Sequence, residues 1–281
     1  MNAPMEIESE IDLATQRALL DKVQRHTGIH MADRKWTLLQ GRLRRRLQAL
    51  SLNRYRDYLA VLDAQPGEVA AFINLVTTNE TSFFRTPRIW DQLWQQLLPA
   101  WFREHRGATL QLWSAAASTG EEAYSMAMMC EEFREHHPAF KYQILATDIA
   151  SQVLAVGKTG YYQGKSIEGL KRARPEWFAK YFQPSSDGYL ASPTLRSHIV
   201  FREHHLHKRL DGAARFDITL LRNVLIYFDE EGQCSVLENV RRAMSPGSVL
   251  IIGESESLTR LNVGFDFEQP LIYRRQERMH A

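Results

Sequence analysis

Two hydrophobic rhythms divide the chain. Over residues 1–76 the apolar positions recur at helical spacing only. Ile11, Ala14, Ala18, Leu19 and Val23 predict a first helix running to about Arg25, with Gly28 as its stop. Trp36, Leu39, Leu43, Leu47 and Leu50 predict a second over Trp36–Leu50, Tyr55–Leu62 begins a third, and Glu68–Val76 forms a fourth beyond the Pro66-Gly67 turn. An amphipathic helix follows at Ile89–Phe102, and then the pattern changes. Leu110–Trp113, Tyr142–Ile149, Phe216–Leu221 and Ser248–Gly253 are compact apolar runs that read as buried strands. Between them, helical spacing runs from Glu121 to near Pro138, over Ser151–Gly157, over Glu168–Phe182, and over Glu230–Met244, closed by Ser245-Pro246-Gly247. Such alternation builds an open parallel sheet, and a strand or hairpin over Phe265–Arg274 makes one edge antiparallel. The turn-rich Gln183–Gly188 breaks the rhythm, and Tyr189–Leu190, Thr194–Leu195 and His198–Glu203 supply short antiparallel strands. The expected protein is α/β: a helical domain at 1–76, a linker at 77–90, and a sheet domain at 91–281 with a small antiparallel β-subdomain inserted at about 183–204.

Composition narrows the class. Of 281 residues, 44% are hydrophobic and 24% charged, the balance of a soluble globular chain. No apolar run approaches the roughly 18 residues of a membrane span, and the acidic start MNAPMEIESE is unlike a secretory signal. Cys130 and Cys234 offer neither metal-ligand spacing nor a disulfide framework, so a reducing cytoplasm is the expected compartment. His204, His205 and His207 lie close together but lack the helical i, i+4 zinc pattern, and no metal site is expected. The net charge of +2 hides an uneven distribution. Arg34, Lys35, Arg42, Arg44, Arg45, Arg46, Arg54 and Arg56 share one stretch without Asp or Glu. Arg42, Arg45 and Arg46 fall mainly off the apolar stripe of their helix, on a face left to solvent or an acidic partner. A merely solvated face usually mixes signs.

Candidate chemistry centres on Leu110–Glu122. The strand runs into Ser114-Ala115-Ala116-Ala117-Ser118-Thr119-Gly120, seven residues with almost no side-chain bulk, before a helix opens at Glu121. Strand, small-residue loop and helix form the first unit of a nucleotide-type site, where a ligand can approach backbone and helix N-terminus. An ordinary turn with a Thr119/Glu122 capping box accounts for the same residues. Asp148 ends the second strand, a position where an acid commonly accepts hydrogen bonds from ribose hydroxyls; capping of the next helix is the alternative. The segment Thr77–Arg85 combines four hydroxyls, an amide, two aromatics and an Arg, more than a helix cap requires.

Together these stretches resemble the chemotaxis receptor methyltransferase family (CheR). The matches are NETSFFR at Asn79–Arg85, WSAAASTGEEAYS at Trp113–Ser125, ATDI at Ala146–Ile149, RNVLIYFD at Arg222–Asp229 and PGSVLIIGESESL at Pro246–Leu258, in that order. The resemblance implies a Rossmann-like S-adenosylmethionine-dependent methyltransferase sheet in a cytoplasmic enzyme that methylates receptor glutamates and releases S-adenosylhomocysteine. It places Asn79, Thr81 and Arg85 over the cofactor, with Arg85 beside the amino-acid end and the reacting methyl. Ala115 lies in the cofactor loop, Glu122 or else Glu121 meets the ammonium, and Asp148 binds the ribose. An Asn-Leu pair of the family near the adenine corresponds here to His205-Leu206, a departure. Arg222 and Asn223 contribute contacts at the sheet end, and Tyr227 borders the methyl-transfer point, so Arg85 and Tyr227 are the expected catalytic residues. The basic second helix corresponds to the receptor-facing helix, which gives Arg42, Arg45 and Arg46 the helical bundle of membrane chemoreceptors as partner; Gln48 stands where the family often has another Arg. The loop QPSSDGYLASP is shorter than in members that bind a receptor C-terminal peptide, so independence from that peptide is expected. A monomer, without nucleic-acid partner or membrane insertion, completes the picture.

The implied chemistry is an in-line displacement at a sulfonium methyl. A glutamate carboxylate, with a reference pKa of about 4.3, is ionised at neutral pH and needs no general base. Two other readings use the same residues: a methyltransferase acting on RNA or another protein, and a cofactor-sensing adaptor without turnover. The chain carries no RNA-binding motif and no Pro-rich amide-methylating tetrad after Phe216. Arg85, Asp148, Asn223 and Tyr227 speak for turnover.

Overall fold

The computed structural model describes residues 7–8, 11–32, 35–212 and 215–277. Arg34 of the basic stretch and most of the acidic start lie outside the described residues. Contacts divide the chain into two units, Met1–Thr78 with Tyr227–Gly232, and Asn79–Ile226 with Gln233–Ala281.

The first unit is helical: α1 (Leu13–Thr27), α2 (Trp36–Ala49), α3 (Tyr55–Ala64) and α4 (Pro66–Val76). Asp12 caps α1 by accepting from the Thr15 N–H and hydroxyl, and Gly28 closes it at φ 74°, a conformation that suits glycine. The apolar stripes meet in one core of Leu19, Val23, Leu39, Leu43, Leu47, Tyr58, Phe72 and Val76. Among the described residues of this unit Glu68 is the buried carboxylate, and it accepts from Arg46 Nε at 2.8 Å and the Tyr58 hydroxyl at 2.7 Å. Burial pushes the Glu68 carboxyl up, but those two partners outweigh it and hold it below its ordinary value.

The second unit opens with α5 (Pro87–Gln92), which continues through a π-helical segment (Leu93–Leu97) into α6 (Leu98–Glu104), the amphipathic helix expected there. It then alternates: β1 (Thr109–Ala115), α7 (Glu121–His136), β2 (Lys141–Asp148), α8 (Ser151–Thr159), β3 (Tyr161–Tyr162), α9 (Lys165–Ala173), α10 (Pro175–Tyr181), β4 (Phe182–Ser185), β5 (Gly188–Ala191), α11 (Pro193–Arg196), β6 (Ile199–Glu203), β7 (Phe216–Leu221), α12 (Glu230–Ala243), β8 (Met244–Ile252), β9 (Phe265–Gln269) and β10 (Ile272–Arg275). The main sheet has the order β6-β2-β1-β7-β8-β10-β9. Its first five strands run parallel, and the β9–β10 hairpin supplies the antiparallel edge. The strand order reverses between β1 and β7, the switch point where open α/β sheets bind ligands. Helix α7 is buried along most of its length, which explains its run of small and sulfur-containing residues.

Four local expectations are corrected. His198–Glu203 does form a strand, but β6 pairs in parallel with β2, Ile144 opposite Ile199, and so belongs to the main sheet. The small antiparallel sheet is instead β3-β5-β4, and its β3 is only two residues long. Thr194–Leu195 is helical: Ser192 accepts from the Leu195 N–H, and Pro193 occupies the first helical position. The helix expected over Glu168–Phe182 breaks at Arg174-Pro175, where proline lacks the N–H that would continue it.

Candidate active site

Register brings the strand ends level. Ala115 lies opposite Thr147 of β2 on one side and Leu221 of β7 on the other. Beyond Ala115 the chain bends through left-handed conformations at Ala116 (φ 68°), Ser118 (φ 50°) and Gly120 (φ 95°). A Cβ on Gly120 would lie 3.0 Å from the Phe201 ring and the Tyr162 hydroxyl. Gly120 is the N-cap of α7 and there is no Thr119/Glu122 capping box; the Thr119 hydroxyl donates to Glu121 at 2.6 Å instead. The loop is held from the next strand, with the Ala117 N–H on the Thr147 carbonyl at 2.8 Å and the Ser118 N–H on Asp148 Oδ2 at 2.8 Å. Asp148 Oδ1 accepts from the Ala150 N–H at 2.9 Å. Burial raises the Asp148 carboxyl above its ordinary value, and the Ala150 and Ser118 N–H groups pull against that rise.

A second carboxylate sits on the first turn of α7. Glu122 accepts from the Ser114 hydroxyl at 2.7 Å and from Arg222 Nη1 at 2.9 Å, both within the buried interior. Arg222 Nη2 continues to the Arg85 carbonyl at 2.9 Å, which also accepts from the Trp90 indole at 2.9 Å. One guanidinium therefore ties the end of β7, the start of α7 and the Asn79–Arg85 segment together. A carboxylate offers about four lone-pair positions, so Glu122 keeps acceptor capacity beyond these two bonds. Glu121 is occupied differently, by the Thr119 and Ser166 hydroxyls.

The Asn79–Arg85 segment is bolted to the same helix. The Ser118 hydroxyl donates to the Asn79 carbonyl at 2.8 Å, and the Phe84 N–H donates to Ser125 Oγ at 3.0 Å. Phe83 meets Tyr162 and Phe182 edge to face, while Phe84 (φ 51°) packs against Trp90 and Trp177. These two rings explain why the segment is more than a cap: they anchor a polar loop on both sides. Thr81 is half-buried between the anchors, whereas the Arg85 side chain is exposed, its one described bond a 3.3 Å contact to the Glu80 carbonyl.

At the other side of the switch point, Asn223 (φ 58°) follows Arg222. Its loop depends on Glu256, a residue the sequence reading missed. Glu256 accepts from the N–H groups of Asn223, Val224, Leu225 and Gly253 at 2.6–2.9 Å. A Cβ on Gly253 would lie 2.7 Å from both the Asn223 nitrogen and Glu256 Oε2, so glycine is required for this approach. The His205-Leu206 pair follows β6, where the His204 N–H donates to the Asp148 carbonyl at 2.9 Å and Asn239 donates to the Leu206 carbonyl at 3.1 Å. The structure thus gathers Asn79, Thr81, Arg85, Ala115, Glu122, Asp148, His205, Leu206, Arg222 and Asn223 within the sheet unit.

Tyr227 and the arginines of α2 belong to the helical unit. The Tyr227 carbonyl accepts from the His30 N–H at 2.9 Å, and the Lys35 ammonium lies 5.9 Å from its ring centroid. Two of the three arginines expected on a free face are engaged internally. Arg42 donates to the carbonyls of Leu75, Val76 and Thr77 and to the Thr78 hydroxyl, satisfying the end of α4, and Arg46 holds Glu68. Arg45 is exposed, and so is Arg44 beside it.

The donor chemistry suits a ligand with hydroxyls and a cationic end: two buried carboxylates flank a loop whose small side chains leave the backbone approachable. Comparison with known proteins agrees. Residues 79–271 match the SAM binding domain of CheR methyltransferase, and residues 15–77 match its all-alpha domain. The chemotaxis protein methyltransferase Cher2 of Pseudomonas putida is 32% identical over 258 residues, covering 89% of this chain and 92% of that protein. The chemotaxis protein methyltransferase of Escherichia coli is 32% identical over 264 residues, covering 92% of this chain and 89% of that one. A chain that aligns with S-adenosylmethionine-binding methyltransferases along both of its units, and that sets two acids and a small-residue loop at the switch point of its sheet, belongs to the CheR methyltransferase family.

Proposed function

We propose that this chemotaxis methyltransferase esterifies glutamate side chains of membrane chemoreceptors in the cytoplasm, acting as a monomer and without help from a receptor C-terminal peptide. The observation that carries the reading is the Ser114–Glu122–Arg222–Arg85 chain, which joins the cofactor loop to the backbone carbonyl of Arg85, a residue whose side chain is exposed. S-adenosylmethionine, when bound, supplies a methyl group on a sulfonium, which is already a good electrophile. Asp148 would hold the ribose hydroxyls, Glu122 the ammonium, and Asn79, Thr81, Ala115, His205, Leu206, Arg222 and Asn223 the remaining surface.

The acceptor makes little demand on proton chemistry. A glutamate carboxylate is ionised at neutral pH, so no side chain has to remove a proton. Catalysis then rests on alignment of the carboxylate oxygen and on exclusion of water, and the bound donor would supply the methyl and be released as S-adenosylhomocysteine. Arg85 suits orientation because its guanidinium is exposed and weakly engaged within the chain. A tighter ion pair would weaken the nucleophile. Tyr227 is assigned to the border of the transfer point, and Arg45 of α2, with Arg44, to the acidic face of the receptor bundle.

Peptide independence finds support in the small sheet. Its edge strand β4 contains Pro184. Proline is accommodated in an edge strand where its missing N–H faces outward, which removes a donor that an added peptide strand would use. Calorimetric titration with a receptor C-terminal peptide should show no tight binding; a tight complex would overturn this part. The reaction itself is tested with radiolabelled S-adenosylmethionine and cytoplasmic receptor fragments. Label released as methanol by mild base is expected, and base-stable label would reject an ester.

A further inference from the structure

Before the first residues of β7 and β8, where Arg215 precedes Phe216 and Ala243 precedes Met244, the sheet unit carries a cleft of ≈ 370 Å³ lined by Arg209, Arg215, Arg241, Arg242 and Arg275. None of the residues that line it is acidic. From its side a single carboxylate, Glu238, serves two of the five: Arg241 Nε donates to it at 2.8 Å and Arg242 Nε at 2.6 Å. Arg275 is committed through Nη1 to the Met244 carbonyl, yet its buried Nε has no acceptor among the described residues. Burial lowers the Arg275 guanidinium, and the charges of Arg241 and Arg215 add to that while Glu238 opposes it.

We propose that this cleft binds an anion carrying adjacent phosphoryl groups. Arginine forks pair bidentately with phosphate oxygens, and several converging forks suit a pyrophosphate better than a single carboxylate. The concave shape and small volume favour a compact ligand over a nucleic-acid strand. No aromatic side chain lines the cleft, so recognition is by charge and not by base stacking. The same chemistry is presented by a free pyrophosphate-type metabolite and by a lipid headgroup phosphorylated at neighbouring positions.

The 281-residue protein is titrated with sodium pyrophosphate by calorimetry, and in parallel with vesicles containing phosphatidylinositol 4,5-bisphosphate by co-sedimentation. Binding that weakens with added salt is expected. In the Arg209→Ala/Arg215→Ala double variant, affinity falls about tenfold or more, with an intermediate loss when both become Lys, because lysine keeps the charge and loses the fork. Unchanged S-adenosylhomocysteine affinity in both variants shows that they fold. Pyrophosphate binding lost in the Ala variant assigns a free ligand, and binding confined to vesicles and lost in the same variant assigns a headgroup. No binding of either probe, or binding indifferent to the double substitution, overturns the proposal.

Discussion

Asp148 holds the fold of its loop and is the side chain we assign to the ribose. Its two oxygens accept backbone N–H groups at 2.8 and 2.9 Å from either side of the loop, while burial raises its pKa. Asp148→Ala is expected to weaken S-adenosylhomocysteine about 10- to 100-fold, the scale of a lost hydrogen bond to a charged group. Wild-type affinity should also fall on acidification, at a pH above the ordinary carboxylate value of 3.8, as the proton takes up an acceptor site. The raised pKa means that protonation of Asp148 itself favours the folded state, whereas Glu68, held below its ordinary value, loses stability on acidification, so Tm is followed over the same pH range to separate lost affinity from unfolding. Calorimetry across pH, with Asp148→Asn removing the dependence, checks both statements. Arg85→Ala should lower kcat by about tenfold or more with little change in Tm, because the guanidinium makes one long bond within the chain. Equal losses in both would assign Arg85 to structure. Glu256→Gln leaves part of a four-donor cluster unsatisfied and is expected to cost about 2–4 kcal/mol in urea unfolding. Asp148 was legible in the sequence because it ends an apolar strand one βα unit after the small-residue loop. Glu256 was not, since its partners at Asn223–Leu225 lie some thirty residues away and are backbone atoms that no side-chain pattern advertises.

Elements were read best where one period ran long. The stripe of Leu39, Leu43 and Leu47 places α2 correctly, and the strands β1, β2 and β7 follow from their apolar runs. Misreadings fall where a local signal was outweighed or tertiary pairing decided. Ser192-Pro193 is a helix start that two apolar-flanked residues obscured, and β6 joins the parallel sheet because its partner is β2, far away in sequence. The internal engagement of Arg42 and Arg46 on the basic face of α2 is illegible for the same reason. Periodicity shows which residues leave the core stripe, but not that Arg42 reaches the end of α4 or that Arg46 meets buried Glu68. Arg46→Ala should therefore destabilise the protein by about 3–5 kcal/mol, the cost of stranding a buried carboxylate. Arg45→Glu should leave Tm and S-adenosylhomocysteine affinity unchanged while lowering receptor methylation. Loss of cofactor affinity in that variant would show that it acts through the fold.

At the scale of the whole molecule, the topology does much of the chemical work. The order β6-β2-β1-β7 sets the ends of β1 and β7 side by side at the switch point, with Asp148 on the adjoining strand. The long β2-to-β6 connection accommodates the β3-β5-β4 sheet without disturbing that geometry, because β6 returns to the far side of β2. In the function proposed for it, this site presents a sulfonium methyl to a carboxylate that is already ionised. Tandem mass spectrometry of a receptor cytoplasmic fragment, after incubation with the enzyme and S-adenosylmethionine, tests it most directly. Methyl groups are expected on glutamate side chains, removed by mild base and greatly reduced in Arg85→Ala. Methylation confined to nitrogen atoms, or none on the fragment by an enzyme that binds S-adenosylhomocysteine, would contradict it.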